Sequence, residues 1–318
     1  MQDIDKLQKL ANTIRVISAE GVQKANSGHP GLPMGCADIA AILWSKYLRH
    51  NPKDSQWFNR DRFVLSAGHG SMLIYSLLHL YGYDVTNEDL KDFRQLGSRT
   101  PGHPEFGHTD GVETTTGPLG QGIANAVGMA LGEKIHAEKF NTKQHEVVKN
   151  KVYALCGDGC MMEGIASEAS STAGHLGLNN LVLIYDSNQI TIEGSTDIAF
   201  TEDVAKRYEA YGWDVLHADG HDFESLDKAL SATDDQAKPT LIIATTTIGK
   251  GSPNKSGTHK VHGAPLGQDE VDATREALGF SLEAFSVEED VYAFAKESGA
   301  RGLTEQNEWQ ATYDAWAT

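Results

Sequence analysis

The chain has 318 residues, of which 40% are apolar and 22% charged, and carries a net charge of −17. That length suits one large α/β domain or two small ones, and the acidity argues against nucleic acid, whose phosphates it would repel. No stretch approaches the about 18 apolar residues of a membrane span.

The N-terminus, Met1-Gln2-Asp3-Ile4-Asp5, lacks the basic region and apolar core of a secretion signal, so the expected compartment is the cytoplasm. Leu7, Leu10, Ile14 and Ile17 recur at helical spacing, and so do Ile39, Ile42 and Leu43. The three cysteines, Cys36, Cys156 and Cys160, form neither a disulfide framework nor a CxxC pair and read as small buried residues. Residues 62–66 suggest a short strand and 71–81 an apolar helix. Residues 97–120 are poor in apolar side chains and rich in Gly, His, Thr and Pro, a composition expected of a functional loop. A helix is predicted over 121–140, with Gly122, Ala124, Ala126 and Gly128 on its first turns, where small residues admit a backbone or a flat ligand.

The regular part follows. Strand 152–156, helix 163–175, strand 181–185, helix 202–211, strand 213–218, helix 224–232 and strand 240–245 alternate in order. A second long loop spans 249–267, and beyond about Leu278 the chain is acidic and helical. Continuous apolar strands alternating with amphipathic helices predict an α/β fold: a three-layer parallel sheet with helices on both faces. Ligands of such sheets bind beyond the carboxyl ends of the strands.

Two strand ends carry the chemistry. Gly157-Asp158-Gly159 follows one, and Asp186-Ser187-Asn188 ends the next. If the strands are neighbours, Asp158 and Asn188 offer a carboxylate and an amide oxygen to a hard divalent cation, which accepts few protein oxygens when a phosphate supplies others. Gly159 opens a helix there, and bare N–H groups at a helix start bind anions. Four further segments set histidine beside glycine or proline: Ser27-Gly28-His29-Pro30, Gly68-His69-Gly70, Pro101-Gly102-His103-Pro104 and His262-Gly263. Imidazoles donate to hydroxyls and phosphates and pass protons near neutral pH, which suits a sugar phosphate.

The GDG segment and the asparagine after the following strand resemble the thiamine-diphosphate fingerprint. Residues 27–35, 66–80 and 114–128 extend that resemblance to transketolase, as do Gly251-Ser252-Pro253-Asn254-Lys255 and His262-Gly263-Ala264-Pro265-Leu266-Gly267. The likeness is to the N-terminal, pyrophosphate-binding domain of bacterial-type transketolases and covers essentially the whole chain. It implies thiamine diphosphate with Mg²⁺, or Ca²⁺ or Mn²⁺ in its place. Asp158, Asn188 and the carbonyl of Ile190 would hold the ion. The Gly159 N–H, His69 and His262 would touch the diphosphate, and Gly117, Pro118 and Leu119 would line the aminopyrimidine. His29, His103 and His262 would face the sugar, and Glu163 would link the two active sites of a dimer, the alternative being a favourable charge at a helix start. The implied reaction, a step of the pentose phosphate pathway, is two-carbon transfer from a ketose phosphate to an aldose phosphate.

By the same resemblance, residues 1–285 form the cofactor domain and 286–318 a helical segment leading into an interdomain linker. A complete transketolase is longer, and its pyrimidine-binding domain holds the essential glutamate and the arginines that grip the substrate phosphate. The chain alone is therefore expected to carry half an active site and to be inactive, with the missing domain and a second copy as partners. A truncation, a proteolytic fragment and the N-subunit of a split transketolase remain open, the first two favoured. Dihydroxyacetone synthase, deoxyxylulose-phosphate synthase and a 2-oxo-acid dehydrogenase subunit share the apparatus. From other classes stand a zinc hydrolase using His259 and His262, and a non-catalytic binding module.

Overall fold

The computed structural model describes residues 3–234, 236–281 and 283–318. Strands β1 (Arg62–Leu65), β2 (Val152–Gly157) and β3 (Leu181–Ser187) are followed by a small antiparallel hairpin of β4 (Ile190–Thr191) and β5 (Gly194–Ser195). Then come β6 (Asp214–Asp219) and β7 (Thr240–Thr245). The main sheet has five strands in the order β1-β2-β3-β7-β6, every pairing parallel. All six residues of β2 are buried, which explains its unbroken apolar run: with helices on both faces, neither side of an inner strand meets water.

The helices are α1 (Ile4–Ala25), α2 (Gly31–Gly35), α3 (Ala37–Ile42), α4 (Met72–Tyr81), α5 (Asn87–Lys91) and α6 (Gln121–Phe140). After them come α7 (Asp158–Met162), α8 (Gly164–Leu176), α9 (Val204–Tyr211), α10 (Phe223–Ser231), α11 (Gln268–Ala277) and α12 (Glu289–Trp316). Helix α8 packs against α6 and α9, while α1 packs against α2, α3, α4 and α12. Buried residues of α1 run from Leu7 to Val22 and include Arg15 and Glu20, so this helix lies inside the molecule rather than on it.

Several boundaries differ from the sequence reading for local reasons. The helix expected over 163–175 is α8, which starts one residue later because Glu163, with extended backbone, is its N-cap and separates it from the short α7. Helix α9 starts at Val204 because the Asp203 side chain accepts the N–H of Lys206, and α10 starts at Phe223 because Asp222 accepts that of Glu224. Neither α5, opened by a reciprocal Thr86–Asp89 capping box, nor α11 was foreseen. The helical tail expected after Leu278 is α12, starting at Glu289. It is docked rather than free: the indole N–H groups of Trp309 and Trp316 donate to the carbonyls of Val147 and Phe140 at 2.9 and 2.7 Å.

Candidate functional site

Parallel register brings the strand ends level. Gly157 pairs with Asp186, and Ser187 with Thr245, so the segments leaving β2, β3 and β7 emerge together at the carboxyl edge. A cavity of about 420 Å³ opens there. It is lined by His29, His69, His103, Gly117, Leu119, Asp158, Gly159, Asn188, Ile190 and His262, so distant loops converge on one place. Of the residues expected at the site, Pro118 does not line the cavity, and Glu163 is exposed outside it, its Cβ close against Gly120.

Asp158 is nearly buried. One carboxylate oxygen accepts the Tyr185 hydroxyl at 2.6 Å, while Oδ2 is buried with no hydrogen-bond partner. Burial above all, with the carboxylate of Asp186 adding to it, outweighs the Tyr185 bond and pushes the Asp158 pKa up to about 6. Asp186, on the neighbouring strand, is also buried, and its pKa is raised by desolvation. Two buried carboxylates with no cationic side chain bonded to them, one with an unpartnered oxygen, suit a bound divalent cation.

The Asn188 amide is already oriented for that task. Its Nδ2 donates to Asp186 at 2.8 Å and its Oδ1 accepts the Ile190 N–H at 2.9 Å, leaving a second lone pair on that oxygen. Gln189, left-handed at φ 61°, makes the tight turn between them. Gly159 stands beside Asp158 in the cavity lining, and a Cβ there would come within 2.8 Å of Leu119 Cδ1, so only a bare backbone fits against that side chain. The residues present thus fit a cation–diphosphate pair.

Three histidines line the same cavity. Ring centroids of His29 and His69 are 5.0 Å apart, those of His69 and His262 5.2 Å, and those of His29 and His262 5.7 Å. Desolvation first, and the mutual repulsion of their charged forms second, pushes His29 down to about 4 and His69 to about 3. Burial lowers His262 and His103 as well. Neutral rings each carry one N–H and one lone pair, so the group can donate to an oxygen and accept a proton. His103 lies on Gly117, where a Cβ would be 3.1 Å from its ring and the φ of 146° disfavours any side chain.

Sequence reading missed several participants. Asp186 was quoted in its motif without a role, although an acid at the end of an apolar strand was the available signal. Thr246, whose hydroxyl bonds Asp186, and Ile248, which lines the cavity, sit past β7 in unremarkable sequence. His259 is exposed and does not line the cavity that His262 lines, so the structure does not bring that pair to one site.

This sheet and carboxyl-edge cavity define a thiamine-diphosphate-binding class of α/β protein, and comparison with known proteins agrees. The family described as transketolase, thiamine diphosphate binding domain, matches residues 6–318, and the chain belongs to it. Transketolase 1 of Aliivibrio fischeri is 56% identical over 311 residues, covering 97% of this chain and 46% of the relative. The transketolase of Leishmania mexicana superposes with a TM-score of 0.96 at 48% identity, covering 98% of this chain and 47% of that one. A transketolase of Pichia stipitis solved in complex with sedoheptulose-7-phosphate gives 0.95 at 48% identity, over 98% of this chain and 46% of its own. The chain thus spans about half the length of the relatives it matches. No described helix is long and apolar enough to cross a membrane.

Proposed function

We propose that this chain is the cofactor-holding part of a cytoplasmic transketolase. It would serve two-carbon transfer from a ketose phosphate to an aldose phosphate, in the pentose phosphate pathway. The observation that carries the reading is the buried, unpartnered oxygen of Asp158, a residue that lines the carboxyl-edge cavity together with Asn188 and Gly159. Asp158, the Asn188 amide oxygen and the Ile190 carbonyl would hold Mg²⁺, or Ca²⁺ or Mn²⁺ in its place. The Gly159 N–H, His69 and His262 would receive the diphosphate, with Gly117, Pro118 and Leu119 along the aminopyrimidine. His29, His103 and His262 would face the sugar.

Bound there, thiamine diphosphate supplies the electron sink for the two-carbon unit. The chain supplies position and protons. Desolvation keeps His29 and His69 neutral at working pH, so each can donate to a developing oxyanion or take a proton from a hydroxyl. The sugar-phosphate ligand of the Pichia stipitis relative supports the substrate class.

Relatives of about double the length support a missing half that completes the site, with α12 leading toward it. Exposed Glu163, and Ile192, which lines the cavity yet is 66% exposed, suit a surface covered by a second copy in a homodimer. Fusing the chain to the remaining half of the Aliivibrio fischeri relative tests the proposal. The fusion is expected to transfer ketol units and the chain alone is not. Turnover by the pure chain, or none by a folded, cofactor-loaded fusion, would contradict it.

A further inference from the structure

Past the carboxyl end of β6 the chain turns through Gly220 into His221, whose ring sits between two other elements. Its Nδ1 is 2.8 Å from Oδ2 of Asp38 on α3, and its Nε2 accepts the backbone N–H of Thr247, just beyond β7, at 2.8 Å. An accepting Nε2 places the ring proton on Nδ1, so His221 donates to Asp38 and receives from Thr247. Asp38 is fully buried, and the same oxygen pairs with Arg15 of α1 and lies 3.4 Å from Lys250 Nζ. Arg15 also donates to the carbonyl of Met34 in α2 at 3.0 Å. The ring of His221 is therefore held between a carboxylate, itself anchored by Arg15, and the Thr247 backbone.

The backbone it holds leads into the cavity. Thr246 bonds Asp186, Thr247 bonds His221, and Ile248 lines the cavity wall. Next, the Gly249 N–H donates to the Gly31 carbonyl at 2.9 Å, and the Gly257 N–H donates to the Ile248 carbonyl at 2.8 Å, closing the base of the loop that ends at His262. Ile248 and the Val261 carbonyl both press on Gly31, where a Cβ would come within 2.7 Å of each. His221 itself lines a separate depression with His217, Ser225 and Thr245.

We propose that the Asp38–His221 pair is a positioning device for the cofactor cavity: it holds Thr247, and through Thr247 it sets Ile248 and the loop bearing His262. The proposal rests on the cavity being the cofactor site. Because the Thr247 N–H can turn to water when its acceptor is lost, the cost falls on local order more than on global stability.

The test compares the native chain with His221→Ala and with His221→Gln, whose amide oxygen reaches the place of the ring Nε2. Hydrogen exchange is read over residues 247–262 and over α12, and affinity for Mg²⁺-thiamine diphosphate by calorimetry. His221→Ala should speed exchange in 247–262 by about tenfold and weaken the cofactor by a similar factor, one hydrogen bond's worth, with α12 unchanged. His221→Gln should restore most of both. Unchanged exchange in 247–262, equal acceleration in α12, or a glutamine variant no better than alanine would overturn the proposal. If the alanine variant does not fold, His221→Asn takes its place, being too short to reach Thr247. A native chain that binds no cofactor would overturn the site reading instead, and the exchange comparison would still decide the role of His221.

Discussion

Two histidine environments in this molecule, one around fully buried His50 and one of three half-buried rings, share the same electrostatic condition and differ in their partners. In the first, beneath α12, His50 Nδ1 lies 3.0 Å from the Tyr83 hydroxyl and Nε2 lies 3.2 Å from Ser298 Oγ. Ser298 in turn donates to the Trp44 carbonyl at 2.8 Å, which fixes the direction of every proton in the chain of bonds. In the second, at the carboxyl edge, His29, His69 and His262 face one another, and no hydrogen bond to protein contributes to the low pKa of His69 or His262. Burial drives His50 and His69 alike down to about 3. The difference lies in their partners: a desolvated ring whose nitrogens are satisfied joins elements together, whereas one whose nitrogens face a cavity is set for a ligand.

That contrast can be broken by exchange of phenotypes. The largest effect is expected at the cavity's carboxylate. Asp158→Asn should weaken Mg²⁺-dependent cofactor binding on the order of a hundredfold or more, since an amide is a poor hard-cation ligand. The same change should stabilise the free chain at pH 7. A carboxyl whose pKa is raised from 3.8 to about 6 in the fold is ionised there against its environment, a cost on the order of 3 kcal/mol. Binding titrations and melting curves of the one variant check both, and a destabilised free chain would break the account.

His50→Ala, at the satisfied ring, should cost about 2–4 kcal/mol by opening a hole beside Trp44 and stranding the Tyr83 hydroxyl. Its cofactor affinity should stay within about twofold. His69→Ala should do the reverse, lowering affinity about tenfold with less than about 1 kcal/mol of stability lost. Denaturant titration and calorimetry on both variants sharpen the comparison, and equal stability losses would erase it.

The pH response completes the comparison. Histidines held below their ordinary value of 6.5 add stability that is complete above about pH 6.5 and lost as pH falls toward about 4 for His29 and about 3 for His50 and His69. The raised carboxyls of Asp158, Asp186, Glu20 and Glu305 work in the opposite sense, since acidification relieves the penalty of ionising them in the fold, but the lowered rings of His29, His50, His69, His79, His103 and His262 outnumber them. The melting midpoint should therefore fall steadily on acidification from pH 6.5, and a flat profile would contradict the burial of these rings.

Much of this was legible in the sequence. The inner strands announced themselves because a strand covered on both faces is apolar throughout, as Val152 to Cys156 is. The cavity residues could be named because glycine, proline and histidine occur together where backbone must come close to a ligand. Short or strongly polar elements were harder to see. Helix α5 is five residues long and held by a capping box, and α11 carries acidic residues from its first turn, so neither shows a clear apolar stripe. Contacts between remote segments left no trace either. Nothing in the spacing of Asp38, His221 and Thr247 says that one ring joins them, because that meeting depends on how β6 lies beside β7.

The most direct test is calorimetric titration of thiamine diphosphate into the pure chain, first with Mg²⁺ and then with EDTA. Binding that appears with Mg²⁺ and disappears with EDTA is the predicted result, and it would place the cation–diphosphate half-site at Asp158 and Asn188 within this chain. Absence of binding in Mg²⁺, or binding indifferent to EDTA, would contradict that claim.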